Sequence, residues 1–357
     1  MSDAAGDLAQ RLRWQADWCG RLGSPLYRDL MLRAAGDVEA GGPTLRVLEG
    51  REDDPYESML QLRFMGAVHR LALEGKAKEL AARYPSTGGE GDPDSVWEAF
   101  RATIEARADE LRGLVERPVQ TNEPGRARAL AGGFLVLAAE TGLPLRPLEL
   151  GASAGLNLRW DGYRYDDVKW AFGDPGSPVR FRDFFVDDAR PPLPAGVEIA
   201  ERAGCDAAPV DPTTEEGRLT LKSYLWPDQT DRLRLLDAAL AVADRVPAPV
   251  EGARAGDWLE RRLASGHAGA CTVVFHSIVM QYVAEEEREQ IDRLLASHGA
   301  DASDDAPLAR LAMEPGGEEA HLTLTLWPGG EERLLATSGY HGAEVRWLAT
   351  SARRATP

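Results

Sequence analysis

The chain of 357 residues is 43% hydrophobic and 28% charged, the balance of a folded globular protein with core enough for a domain of about 200 residues and a second of roughly 100 to 150. Its formal charge is -17, and only four of its 41 basic residues are lysines (Lys76, Lys78, Lys169 and Lys222), the arginines being scattered among acids. That argues against a sequence-independent grip on nucleic acid or on an anionic membrane, because phosphate backbones are held by clustered Lys and Arg.

Cys19, Cys205 and Cys271 are odd in number and far apart, which fits reduced thiols in a cytoplasmic protein and offers no metal-ligand spacing. The acidic start, Met1 to Asp7, lacks the apolar stretch of a secretion signal, and no run of about 18 apolar residues predicts a membrane span.

Residues 1 to about 142 read as helical, an N-terminal lid or substrate domain. Ser24-Pro25 supplies an N-cap and a first helical position. Leu60, Phe64, Val68 and Leu71 make one buried stripe. Ser95-Val96-Trp97-Glu98 reads as a capping box opening a helix with Phe100, Ile104, Ala108, Leu111 and Val115 inward. Ahead of a small-residue helix (Gly132, Gly133, Phe134, Leu137) lies the polar cluster Gln120-Thr121-Asn122-Glu123-Pro124-Gly125-Arg126. In one reading Thr121 or Asn122 caps that helix; in the other Gln120, Asn122, Glu123 and Arg126 line the mouth of a site.

Residues 143–357 then alternate strand and helix. Pro147-Leu148-Glu149-Leu150-Gly151-Ala152-Ser153-Ala154-Gly155-Leu156-Asn157-Leu158 reads as a strand, a tight turn and the start of a helix, where small residues admit a ligand to the backbone. Residues 159 to 196 resemble an aromatic, turn-rich insertion. Val197 to Ala200 reads as a strand closed by Gly204-Cys205-Asp206. Leu219 to Trp226 fits strand or helix, and Asp231 to Ala243 is an amphipathic helix. Pro249 to Leu259 reads as a short strand ending in an acid, then a helix. Cys271 to His276 has the continuous apolar character of a strand buried in a parallel sheet. Leu308 to Met313, His321 to Trp327 and the region from Gly339 to Trp347 supply the remaining strands. The expected fold is α/β, a Rossmann-like doubly wound sheet with an antiparallel end, preceded by an all-helical N-terminal domain; the residues around the glycine turn resemble the methyltransferase type of that sheet.

The glycine turn supports two chemistries. Glu149, Gly151, Ser153, Gly155 and Asn157 resemble the acid and glycine-spaced turn of S-adenosylmethionine-dependent methyltransferases, with Ser153 where that superfamily has a middle glycine. The resemblance implies that Asp206 or Asp228 holds a ribose diol, that Asp257 reads the adenine with Trp258 stacking on it, and that His276 lies where acceptor chemistry faces the sulfonium. Glu123 and His341 are further candidates for that chemistry, with Gln120, Asn122 and Arg126 on the substrate side. Alternatively, Gly151-Ala152-Ser153-Ala154-Gly155 matches the nucleophile elbow G-x-S-x-G, and Ser153, Glu314 and His341 follow the chain order of an α/β-hydrolase triad. Against that stand the helical character of the preceding residues and the lack of a role for Glu149. A third possibility is binding of a nucleotide-like ligand without turnover.

Gln120-Thr121-Asn122-Glu123, the block from Glu149 to Leu158, Gly204-Cys205-Asp206, Trp226-Pro227-Asp228 and His341-Gly342 together resemble the uncharacterised bacterial family "domain of unknown function 2332" over nearly the whole chain. That resemblance carries no established reaction. The expectation is therefore a cytoplasmic S-adenosylmethionine-dependent methyltransferase acting on a small molecule, without metal, nucleic-acid or membrane partners.

Overall fold

The computed structural model describes residues 3–167, 170–194 and 196–348, which fall into two compact units. The first contains the chain up to Thr121 together with Thr214–Leu236, and the second contains Asn122–Thr213 and the chain from Asp237 onward.

The first unit is helical: α1 (Asp3–Arg21), α2 (Pro25–Glu39), α3 (Pro43–Leu48), α4 (Leu60–Leu73), α5 (Lys78–Ala81), α6 (Pro93–Ala106) and α7 (Ala108–Leu114). Leu60, Phe64, Val68 and Leu71 are buried together with Phe100, Ile104, Leu111 and Val115, as their spacing predicts. Ser24 caps α2, its Oγ accepting from the Tyr27 N–H, with Pro25 at the first helical position. α6 starts earlier than the expected capping box: Asp92 accepts from the Asp94 and Ser95 N–H groups and Pro93 occupies the first position, a pre-organised start that outcompetes Ser95.

The second unit starts ahead of the expected boundary near residue 142, because α8 (Ala127–Thr141) is buried on nearly every side. A methyl group on Gly132 would lie 2.4 Å from the Trp347 ring, and one on Gly133 would lie 2.4 Å from Leu311, so these glycines let the helix press onto the sheet. Phe134 stacks on Trp160 with ring centroids 4.6 Å apart and meets Phe275 edge-on at 5.1 Å.

β1 (Leu145–Leu150) is followed by a small sheet of β2 (Arg164–Asp167), β3 (Trp170–Gly173) and β4 (Arg180–Arg182), ordered β3-β2-β4. This is the expected insertion, and its Tyr165, Trp170, Phe181 and Phe184 are buried against one another. The main sheet continues with β5 (Ala203–Asp206) and, after α9 (Glu215–Ser223) and α10 (Thr230–Ala243), with β6 (Val250–Gly252). Then come α11 (Ala255–Ala264), β7 (Cys271–Ser277), α12 (Glu285–Ala300), β8 (Leu308–Pro315), β9 (Ala320–Trp327), β10 (Glu332–Ser338) and β11 (Arg346–Trp347). Its order is β11-β10-β9-β8-β7-β1-β5-β6. The strands from β6 to β8 are parallel, and β9, β10 and β11 add an antiparallel meander.

The mixed α/β class with a large, mostly parallel sheet matches the expectation, while several elements differ. The stretch from Val197 to Ala200 is not a strand; Ile199 makes only a bridge to Leu145, and the paired strand begins at Ala203. The segment left between strand and helix is the helix α9. Of the strand expected from Gly339 to Trp347 only the two-residue β11 forms, and β10 is an additional strand ahead of it, whose register shift between Leu334 and Ala336 disrupts the alternation by which a strand is read. Among the described residues no helix is long and apolar enough to cross a membrane.

Candidate functional site

From β1 the chain runs outward through β5 to β6, then returns to lay β7 on the other side of β1 and β8 beyond it. The direction of winding therefore reverses between β1 and β7. In such sheets the loops leaving the carboxyl ends of those two strands diverge and open a crevice for ligands. The segments leaving these ends are the glycine turn after β1 and the stretch from Ile278 to Tyr282 after β7.

The turn is built from residues in the left-handed backbone region, Gly151 (φ 67), Ser153 (φ 51) and Gly155 (φ 67). A methyl group on Gly151 would lie 2.2 Å from Val279 Cγ2, so the turn and the β7 end meet where only glycine fits. The turn's N–H groups are largely engaged. Ala152 donates to the Cys205 carbonyl (2.9 Å), Ser153 to Asp206 Oδ2 (2.9 Å), Gly155 to the Ala152 carbonyl (2.7 Å) and Leu156 to Asn122 Oδ1 (2.8 Å). Arg159, which sequence reasoning missed, donates through Nη1 to the carbonyls of Ala154 (3.0 Å) and Gly155 (2.7 Å). A phosphate cradle needs free N–H groups. The turn therefore has the shape of a ligand loop without the donor set of a phosphate loop.

No α-helix follows the turn. Asn157–Gly162 is a 3-10 segment kinked at Arg159, and the expected helix start is corrected accordingly. This also removes the strand-turn-helix context of a nucleophile elbow, even though Ser153 has the left-handed backbone such an elbow uses.

Glu149 lies inside β1 and is 1% exposed. Burial pushes its carboxyl well above the usual carboxylate range, against the pull of the Arg126 and Arg159 guanidinium groups and of the Leu158 N–H. Its Oε2 has no hydrogen-bond partner among the described residues, and neither amide atom of the fully buried Asn157, next to Leu158, has one. Buried polar groups are nearly always paired with protein or with ordered water, so these atoms mark a place that calls for a polar occupant.

The polar cluster ahead of α8 is buried and used as scaffold. Asn122 reaches the glycine turn through Leu156 instead of capping α8, and Glu123 accepts from the Gly125 N–H at 3.0 Å. Arg126 donates to the Ser277 carbonyl (2.9 Å) and, through Nε, to the Tyr340 carbonyl (3.2 Å). A methyl group on Gly125 would lie 2.3 Å from the His341 carbonyl oxygen, so the His341-Gly342 loop touches this segment through its backbone. Gln120 is buried and falls in the first unit.

His276 is 1% exposed, and both ring nitrogens are engaged. Arg310 Nε donates to Nε2 (3.3 Å), and since a guanidinium only donates, Nδ1 carries the proton and donates to Glu314 Oε1 (2.6 Å). Phe275, one residue earlier, is paired with Glu149 across β1 and β7, so alternation puts His276 on the opposite sheet face. The expected base at the sulfonium is thereby corrected to an imidazole locked between Arg310 and Glu314 on the sheet face opposite Glu149. Of the residues in the hydrolase alternative, Glu314 is turned to His276: its Oε1 accepts from His276 Nδ1 and from the Val279 and Met280 N–H groups, and its Oε2 has no partner among the described residues.

Asp206 ends β5 as expected, and its two oxygens accept from the Ser153 and Ala208 N–H groups. Asp228 belongs to the first unit, where it accepts from Ser24 Oγ (2.6 Å) and the Leu26 N–H (3.1 Å), so the ribose alternative at Asp228 becomes an anchor for α2. Asp257 is exposed in the first turn of α11 because β6 stops at Gly252. Trp258 is fully buried in the core with Leu148, Leu259 and Val274, which corrects its expected role as a stacking surface.

Among the described residues no cluster of His, Cys, Asp and Glu is arranged to hold a metal ion. No curated protein and no solved structure matches the chain. The profile of a family described as "Uncharacterized protein conserved in bacteria (DUF2332)" matches residues 9–347, nearly the whole length, and the chain belongs to that family.

Proposed function

We propose that the second unit binds S-adenosylmethionine at the glycine turn and that the protein transfers its methyl group to a small molecule. The observation that carries this reading is the buried, unpartnered polar set, Glu149 Oε2 and the Asn157 amide, beside a glycine-built turn at the winding reversal of the parallel strands. An amino-acid head group carries the ammonium and carboxylate that a carboxyl and an amide would pair. The engaged N–H groups of the turn favour this ligand class over a di- or triphosphate. Asp206 shapes the turn, and the exposed Asp257 is the acid available beyond β6 for the adenine side. Catalysis in such a site comes mainly from alignment of the acceptor with the sulfonium methyl.

The test is calorimetric titration and thermal shift with S-adenosylmethionine and its demethylated product, S-adenosylhomocysteine. Both are expected to bind and to raise the melting temperature, and Glu149→Gln is expected to abolish the shift. No binding of either compound overturns the reading. Binding without methyl transfer to any extract would make the chain a sensor of the ligand, and covalent labelling of Ser153 by a fluorophosphonate would restore the hydrolase alternative.

A further inference from the structure

The end of β7 turns back sharply. Ile278, a β-branched residue, has φ 51, a conformation that such side chains adopt only where the surroundings impose it. Its N–H donates to the Met313 carbonyl (2.8 Å), and the next two N–H groups, Val279 (3.2 Å) and Met280 (3.5 Å), point to Glu314 Oε1. The same oxygen accepts from His276 Nδ1, whose tautomer is dictated by Arg310, and Arg310 is itself held by Asp292 Oδ1 at 2.7 Å. On the other side of the strand end, Arg126 holds the Ser277 carbonyl. The residue delivered by this reversal is Val279, the side chain that fills the space a methyl group on Gly151 would need.

We infer that Glu314, oriented by His276, is a positioning residue for the glycine turn: it fixes the Ile278–Met280 reversal and so presses Val279 against Gly151. The relay runs from Arg310 through the imidazole and the carboxylate to two backbone N–H groups, and ends at the turn. It assigns His276 a second task in place of proton transfer. The affinity part of the test rests on the reading of the turn as a ligand loop; the exchange part does not.

The experiment is hydrogen exchange, followed by mass spectrometry, on the full chain and on Glu314→Ala, His276→Ala and His276→Asn. Asn carries an N–H donor where Nδ1 stands, so it preserves the bond to Glu314. Exchange over Ala152–Leu156 is expected to quicken by about tenfold in both alanine variants, the size of a lost charge-assisted hydrogen bond, and to return in His276→Asn. Exchange over Cys271–Phe275 stays unchanged. S-adenosylhomocysteine affinity is expected to follow the same order. Quickening confined to residues 278–282, or no rescue by Asn, overturns the inference. Failure of wild-type protein to bind S-adenosylhomocysteine overturns the proposed function and leaves the exchange result to decide the relay. If Glu314→Ala does not fold, Glu314→Gln, which keeps one acceptor oxygen but loses the charge, is expected to give a smaller quickening in the same peptides; its absence overturns the inference.

Discussion

His69 in the first unit and Glu149 in the second are both fully buried ionisable side chains, and they are treated in opposite ways. His69 Nδ1 contacts the Ser223 carbonyl (3.1 Å), and Nε2 contacts Ser86 Oγ (2.8 Å). A carbonyl only accepts, so Nδ1 carries the proton and Nε2 accepts from the hydroxyl. Every polar atom of that ring is paired, and the ring joins α4 to the residues at the end of α9. Glu149 sits beside two guanidinium charges and still has an oxygen without a partner among the described residues. A satisfied buried group serves the architecture, whereas an unsatisfied one next to a glycine turn costs stability and is therefore the place to look for a ligand.

The strongest way to break that contrast is Gly151→Ala. The left-handed backbone and the contact with Val279 together cost about 3 kcal/mol, which denaturant unfolding would read as a lower midpoint, along with loss of ligand binding. A near-neutral substitution would mean that the turn is loose.

The two buried groups should also give stability opposite pH slopes. Burial lowers the His69 pKa from its ordinary 6.5 to about 4, so the unfolded chain takes up the proton first as pH falls. Stability from this group is complete above 6.5 and is lost between 6.5 and about 4, by about 3 kcal/mol in all. His69→Gln should remove that acid-side slope in unfolding measured across the window. Glu149 works the other way. Its folded pKa lies above the unfolded one, so stability falls as pH rises from the ordinary carboxylate range toward the raised value. Glu149→Gln should stabilise the ligand-free protein near neutral pH, by about 1.4 kcal/mol for each unit of upward shift, while having little effect in acid. A destabilised Glu149→Gln at neutral pH would show the carboxylate to be structurally paired after all.

The smallest expected effect is at Ser153. Relief of its left-handed backbone in Ser153→Gly should leave stability unchanged or raise it by up to about 1 kcal/mol, with ligand binding retained. Loss of an activity in that variant would instead favour a nucleophilic role.

Much of the fold was legible because local chemistry and tertiary structure agree. Ser24-Pro25 starts α2, the stripe through Leu60, Phe64, Val68 and Leu71 is buried, and the continuous apolar run of β7 lies inside the sheet. The candidate site was legible as a stretch, Glu149 to Asn157, because the acid and the small residues lie close together in the chain. Most of its supports were not, since they act across a long separation: Asn122 on Leu156, Arg126 on Ser277 and Glu314 on His276; Arg159 lies close in the chain, but only the kink of the 3-10 segment brings its guanidinium back to the turn carbonyls. Trp258 misled for a related reason: its spacing suits a strand end, but β6 stops at Gly252 and the indole turns into the core.

By itself the sequence determined most of the longer helices and the apolar strand β7, and that a small-residue turn follows a strand with an acid inside it, because those properties depend on neighbours within a few residues. The tertiary structure decided that α8 belongs with the sheet, that most of the turn's N–H groups are engaged, and that His276 is locked between Arg310 and Glu314. Those outcomes depend on which partner arrives from elsewhere in the chain. Whether a buried polar atom meets a partner is decided only when the strands are ordered and the loops at their ends come together.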